Sequence, residues 1–116
     1  MSDVGREHLE SWAVQVRKGV LELAVLNTLL GGERYGYELV KALAAVPALS
    51  VSEGTLYPIL SRLRLQGLVK TRLEESPEGP ARKYYALTPA GREAAREMQA
   101  RLEHLAAACR NLCESP

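Results

Sequence analysis

Phenylalanine is absent from the 116 residues, and Trp12 is the single tryptophan. The core must therefore be built mostly from leucine, which is abundant. Long apolar runs are missing too. None approaches the roughly 18 residues of a membrane span, so no transmembrane helix is expected. The first residues include Asp3, Arg6, Glu7 and Glu10 and form no signal-peptide apolar region. A cytoplasmic protein of one domain with a helical extension is the expectation.

Cysteine is scarce. Cys109 and Cys113 lie four apart near the C-terminus, where a helix would put them on one face. Two residues make neither a disulfide framework nor a zinc site, and His104 fits no standard ligand spacing beside them. They read as small apolar residues on a packing face. Catalytic signals are equally thin. His8 and His104 are isolated, and neither lies near a serine or cysteine in a nucleophile motif. No glycine-rich phosphate loop occurs. Carboxylates are scattered along helix surfaces. No enzyme, metal or cofactor is expected.

Excess charge is also lacking, with a net of +1. Its distribution says more. Residues 1–50 hold five cations and six anions, and residues 88–116 hold four of each. Residues 51–87 hold six cations (Arg62, Arg64, Lys70, Arg72, Arg82, Lys83) against four anions (Glu53, Glu74, Glu75, Glu78). Any attraction to phosphate would be local to that segment.

What is present is periodic. Leu9, Trp12, Ala13, Val16 and Val20 follow three-four spacing, which predicts a short helix from about Glu7 to Arg17 with a joint at Gly19. Val20 to Leu30 is dense in apolar residues and suits the centre of a small domain, with Gly31-Gly32 as its stop. Tyr35 to Leu43 reads as a second helix. Ser52, a favoured N-cap, opens a third. Leu56, Ile59, Leu60 and Leu63 share one edge of it; Gly54, Pro58 and Ser61 lie opposite, flanked by Thr55, Tyr57 and Arg62. Pro58 predicts an irregular first turn rather than a break, because the carbonyl it crowds belongs to Gly54. Leu68 to Leu73 and Arg82 to Leu87 read as strands around the turn Ser76-Pro77-Glu78-Gly79-Pro80, a hairpin. Thr88 and Pro89 start the last helix. Along it Ala95, Met98, Leu102, Leu105, Cys109 and Leu112 step by three and four, a coiled-coil-like seam.

A helix with a bare polar edge beside a basic hairpin suggests a winged-helix domain that grips DNA. The fold class is thus mainly α with a small β-hairpin: a winged helix-turn-helix at 19–88, an N-terminal helix at 1–18, and a C-terminal dimerisation helix at 89–116. The seam needs a surface to pack against, its own domain or, as the compact three-helix unit leaves little apolar surface, a second copy. A homodimer through Leu9, Trp12, Val16, Ala95, Met98, Leu102, Leu105, Cys109 and Leu112 is expected.

The motifs YGYEL at 35–39, GTLYPILSRL at 54–63 and RKYYALTPAGR at 82–92, in this order and spacing, closely resemble the PadR family of transcriptional regulators, over roughly residues 17–95. The single C-terminal helix resembles its compact subfamily. The resemblance implies a homodimeric repressor of a pseudo-palindromic operator, released by a small aromatic or hydrophobic molecule. It matches the recognition helix to Ser52–Gln66 and the wing to Ser76–Lys83. Some compact members carry a last-helix tryptophan that sandwiches flat ligands. Leu102 stands at that place here, and Trp12 is the remaining candidate, with Met98 and Leu102, to line such a cavity.

The expected DNA contacts are Tyr35, Ser52, Thr55, Tyr57, Pro58, Ser61, Arg62, Arg82 and Lys83, with Arg62 foremost for phosphate or guanine. Packing against the second helix stays open for Tyr57, and core packing for Tyr35. Of Tyr84 and Tyr85, one should face the core and the other the surface. Double-stranded DNA, a second copy and a small effector are the expected partners, with no membrane among them. A protein-interaction module without DNA binding is the alternative.

Overall fold

A computed structural model describes residues 1–114; the end of the expected last segment, 115–116, lies outside the described residues. The order is α1 (Asp3–Leu30), β1 (Arg34–Tyr35), α2 (Gly36–Ala44), α3 (Glu53–Leu65), β2 (Val69–Ser76), β3 (Gly79–Leu87) and α4 (Pro89–Glu114).

The expected joint at Gly19 is not there, and α1 is one helix of 28 residues. Glycine inside a helix costs about 1 kcal/mol relative to alanine, too little to stop it between good helix formers. The helix also begins earlier than expected, because the Ser2 hydroxyl accepts the Gly5 N–H at 3.1 Å. Its second half is the central core helix, with Leu21, Leu23, Val25, Leu26 and Leu29 buried.

Tyr35 lies in a strand, not in the second helix as expected. β1 is two residues long, too short to leave a periodic trace. It joins a three-stranded sheet ordered β1-β3-β2, through the pairs Arg34↔Tyr85 and Tyr35↔Tyr84. Tyr35 also precedes α2, where the Glu38 carboxylate accepts its N–H at 3.2 Å.

Ser52 stands at the N-cap of α3, but its side chain accepts no backbone N–H there. Its hydroxyl pairs with the Thr55 hydroxyl at 3.2 Å. The Ser52 carbonyl accepts from both Thr55 (3.1 Å) and Leu56 (2.9 Å), so the first turn is part 3₁₀ and Pro58 sits inside an unbroken helix. The helix closes with Gly67 N–H to Arg64 O and Leu68 N–H to Leu63 O, both 3.0 Å, around Gly67 at φ +80°. That is a Schellman ending. The wing turn is tighter than the expected Ser76–Pro80. The strands pair as far as Ser76↔Gly79, leaving Pro77 and Glu78 at the tip.

Leu26, Leu29, Leu39, Leu56, Leu60 and Leu63 are fully buried where α1, α2 and α3 meet, and Tyr85 and Leu87 close the core from β3. The first turn of α4 docks on the turn after α3. The Thr88 hydroxyl accepts the Gly91 N–H at 3.0 Å and donates to Gly67 O at 2.6 Å. Thr88 N–H donates to Leu68 O at 3.1 Å.

Candidate nucleic-acid interface

Helix α3 buries Leu56, Ile59, Leu60 and Leu63. At 100° per residue the opposite face carries Gly54, Pro58 and Ser61, flanked by Thr55, Tyr57 and Arg62, all exposed, as is Ser52. Small residues along the centre of this face let the helix axis approach a surface closely, so the shape suits a groove. Arg62, expected as the foremost contact, is drawn toward α1. Its Nη2 lies 3.6 Å from the Glu22 carboxylate. That pair spans 40 positions and leaves Arg62 half exposed.

Tyr57 packs on α2, the reading left open for it, while remaining partly exposed. A Cβ at Gly36 would lie 3.1 Å from its hydroxyl and 3.2 Å from its ring, so glycine there makes room for it. Tyr57 shares a hollow of about 230 Å³ with Tyr37, Lys83 and Tyr85. Burial pushes the Tyr85 phenol up in pKa and nearby Tyr57 adds to this, while the Arg64 charge works the other way. Arg64 thus sits on the same flank as Tyr57. Neither Arg64 nor Tyr37 was singled out from sequence. Helical phase put Arg64 beside Tyr57; Tyr37 had no such signal.

The hairpin separates its two basic residues. Side chains alternate along a strand, and Tyr85 is buried while Tyr84 faces out. Lys83 is therefore on the Tyr85 side, toward α3. Arg82 is on the Tyr84 side, over the Tyr35 ring at 4.8 Å. Tyr35 also meets Tyr84 (5.8 Å between centroids) and Tyr37 (6.4 Å). Arg72 is clamped. Its Nε and Nη2 donate to Glu33 at 2.8 and 2.6 Å, and Nη1 donates to Glu74 at 3.1 Å. These bonds hold the Glu33 carboxyl below the ordinary carboxylate range.

At the far side, α1 and α4 enclose an apolar groove of about 400 Å³, lined by Val16, Val20, Leu23, Met98, Leu102 and Leu105. Met98 and Leu102 both line this groove. Trp12 is not among the groove's lining residues; it is 56% exposed one turn beyond Val16. Ala95 corrects the expected seam: it is fully buried in its own domain, because the small side chain lets α4 approach the core. The exposed part of the seam runs on through Leu105, Cys109 and Leu112, and α1 exposes Leu9, Trp12 and Val16. Among the described residues no three His, Cys, Asp or Glu side chains gather as a metal site, and no helix is long and apolar enough to cross a membrane.

Three helices, a short strand and a hairpin, with the third helix presenting a bare polar face beside the hairpin, define a winged helix-turn-helix of the transcription-regulator class. The family model for PadR-like transcriptional regulators matches residues 25–97. A transcriptional regulator of Mycobacterium tuberculosis is 36% identical over 92 residues, which is 79% of this chain and 84% of that protein. A PadR-family regulator from Eggerthella lenta superposes with a TM-score of 0.85 at 31% identity, covering 99% of this chain and 100% of that one. A PadR-like regulator from Bacillus cereus does so at 0.74 and 36%, covering 88% and 99%. The chain belongs to the PadR family of transcriptional regulators.

Proposed function

We propose that the protein is a homodimeric repressor of a pseudo-palindromic operator. The observation that carries this reading is the exposed polar face of α3, with Arg62 and Arg64 on the helix and Lys83 beside Tyr57. In a two-fold dimer two such helices enter successive major grooves, roughly 34 Å apart. Lys83 and Arg82, on opposite faces of the wing, reach phosphates on either side of it.

The dimer forms through the exposed apolar faces of α1 and α4. Large apolar residues left uncovered at this density on two adjacent helices favour a partner helix. The groove between α1 and α4 takes a small aromatic or hydrophobic effector. Binding there changes the angle between subunits, shifts the α3 spacing and loosens the operator.

The protein-interaction module is the second reading. It is favoured by Glu75 and Glu78, exposed at a wing tip that repels phosphate. One experiment decides. Purified protein is mixed with sheared genomic DNA at moderate salt, and the retained fragments are sequenced. Sharply enriched sites sharing an inverted repeat are expected. Uniform or absent retention from ligand-free protein would overturn the repressor reading in favour of the module.

A further inference from the structure

The outer face of the sheet carries four side chains in a row. Arg72 on β2 lies over the Tyr84 ring at 4.5 Å, Tyr84 meets Tyr35, and Arg82 lies over Tyr35. The two arginines at the ends of this row differ in their surroundings. Arg72 faces two carboxylates, Glu33 and Glu74. Arg82 pairs with no carboxylate within 4.0 Å among the described residues, although Glu74, Glu75 and Glu78 line the same hollow.

Glu74 is the residue opposite Arg82 in the register. Opposite charges directly across two strands ordinarily pair. Here Glu74 turns along its own strand to Arg72 instead. Arg72 is in turn fixed by the two-pronged bond to Glu33, the geometry in which a guanidinium holds carboxylates best. The result is a cation left unpaired on a wing otherwise rich in acid. Its guanidinium carbon lies 4.8 Å over the Tyr35 ring, an aromatic support that leaves its N–H groups for an anionic acceptor.

We propose that Arg72 and Tyr35 are positioning residues for the phosphate contact of Arg82: Arg72 withdraws Glu74 from it, and Tyr35 supports its guanidinium. The proposal rests on the DNA-binding reading above. Arg72, the most heavily bonded cation of the wing, itself touches no DNA.

The test is binding of the full chain to a labelled mixed-sequence duplex across a salt series, with a melt of each variant to check folding. Arg82→Ala should reduce the slope of log affinity on log salt by about 1. Tyr35→Leu should weaken binding about threefold, the scale of an exposed cation–π contact, and add nothing in an Arg82→Ala background. Tyr35→Phe, which keeps the ring, should bind as wild type. Arg72→Met should weaken binding about tenfold by releasing Glu74 onto Arg82. Glu74→Gln should raise affinity far more in the Arg72→Met background than in wild type.

Additive losses from Tyr35→Leu and Arg82→Ala would overturn the role of Tyr35. Equal effects of Glu74→Gln in both backgrounds would overturn that of Arg72. If Arg72→Met does not fold, the Tyr35–Arg82 cycle decides alone. A wild-type chain that binds no duplex even at low salt would refute the regulator reading and this one together. Tight duplex binding with additive losses would refute this one alone.

Discussion

Replacing Gly91 by alanine should destabilise the protein, although alanine is the better helix former. Gly91 lies in the first turn of α4, where a helical propensity gain of up to about 1 kcal/mol would be expected from the substitution. The structure opposes it. A Cβ at Gly91 would overlap the Leu68 carbonyl oxygen, with the carbonyl carbon 3.0 Å away and a Leu87 methyl at 3.2 Å. The obstructing atoms are backbone, so no rotamer change relieves the overlap. The helix must retreat by on the order of 1 Å, and overpacking of this kind costs about 1–3 kcal/mol. Retreat also stretches two bonds of the joint, Thr88 Oγ1 to Gly67 O and Thr88 N–H to Leu68 O, each worth about 1 kcal/mol. Against the propensity gain, the net is a loss of about 2–4 kcal/mol. For a chain of this size that lowers the melting temperature by about 10 °C. Thermal and urea unfolding at matched protein concentration would measure it. Gly19→Ala is the control, since its Cβ meets nothing within 4 Å and should stabilise by up to about 1 kcal/mol. A Gly91→Ala protein that melts at or above wild type would refute the reasoning, because it would place α4 further from Leu68 than the structure does.

Three further outcomes are expected. Lys83→Ala should lower duplex affinity similarly for all sequences and reduce the salt slope by about 1; an unchanged slope would remove Lys83 from the interface. Leu105→Glu places a charge on a side chain that is 62% exposed in the single chain, so it should spare the fold yet halve the mass measured by light scattering; a mass equal to wild type would place the interface elsewhere. Glu33, whose carboxyl titrates below its ordinary value chiefly because of the hydrogen bonds from Arg72, contributes stability that is complete above about pH 4.5 and is lost as pH falls through the lowered value. Glu33→Gln should therefore flatten the acid limb of the stability profile and leave the neutral limb's slope unchanged; an unaltered acid limb would show the pair to be idle.

Helix α3 and the joint after the wing were legible because their signals are local. Leu56, Ile59, Leu60 and Leu63 announce one buried face, and Thr88-Pro89 announces a helix start. What escaped depends on tertiary neighbours. β1 exists because Tyr35 meets Tyr84 across half the chain, and two residues carry no period of their own. Arg62 reads as a free cation until Glu22 is placed beside it. Arg72 and Arg82 are equivalent in composition, and only the β2–β3 register shows which of them Glu74 reaches. Ala95 fits the heptad step of the seam, yet the seam's first position turns inward once α4 docks. Periodicity identifies which residues share a face; it does not say where along a helix its own domain ends.

That end sits close to Met98, and its position bears on how an effector could act. Below it, α4 is fastened to α3 through the Gly67–Leu68 turn by bonds of 2.6 to 3.1 Å, and Gly91 makes the contact close. Above it, α4 lines the apolar groove together with the middle of α1 (Val16 to Leu23), and the exposed seam continues along both helices. These bonds tie α4 to the end of α3, so under the proposed function a change at the seam is passed to α3. In the proposed dimer each α3 lies about 17 Å from the two-fold axis, half the groove repeat, and a rotation of about 5° displaces it by about 1.5 Å. Base-edge hydrogen bonds do not tolerate a shift of that size. Under the proposed function, a ligand in the groove therefore has no need to reach the DNA-facing side; it has only to alter how the two seams cross.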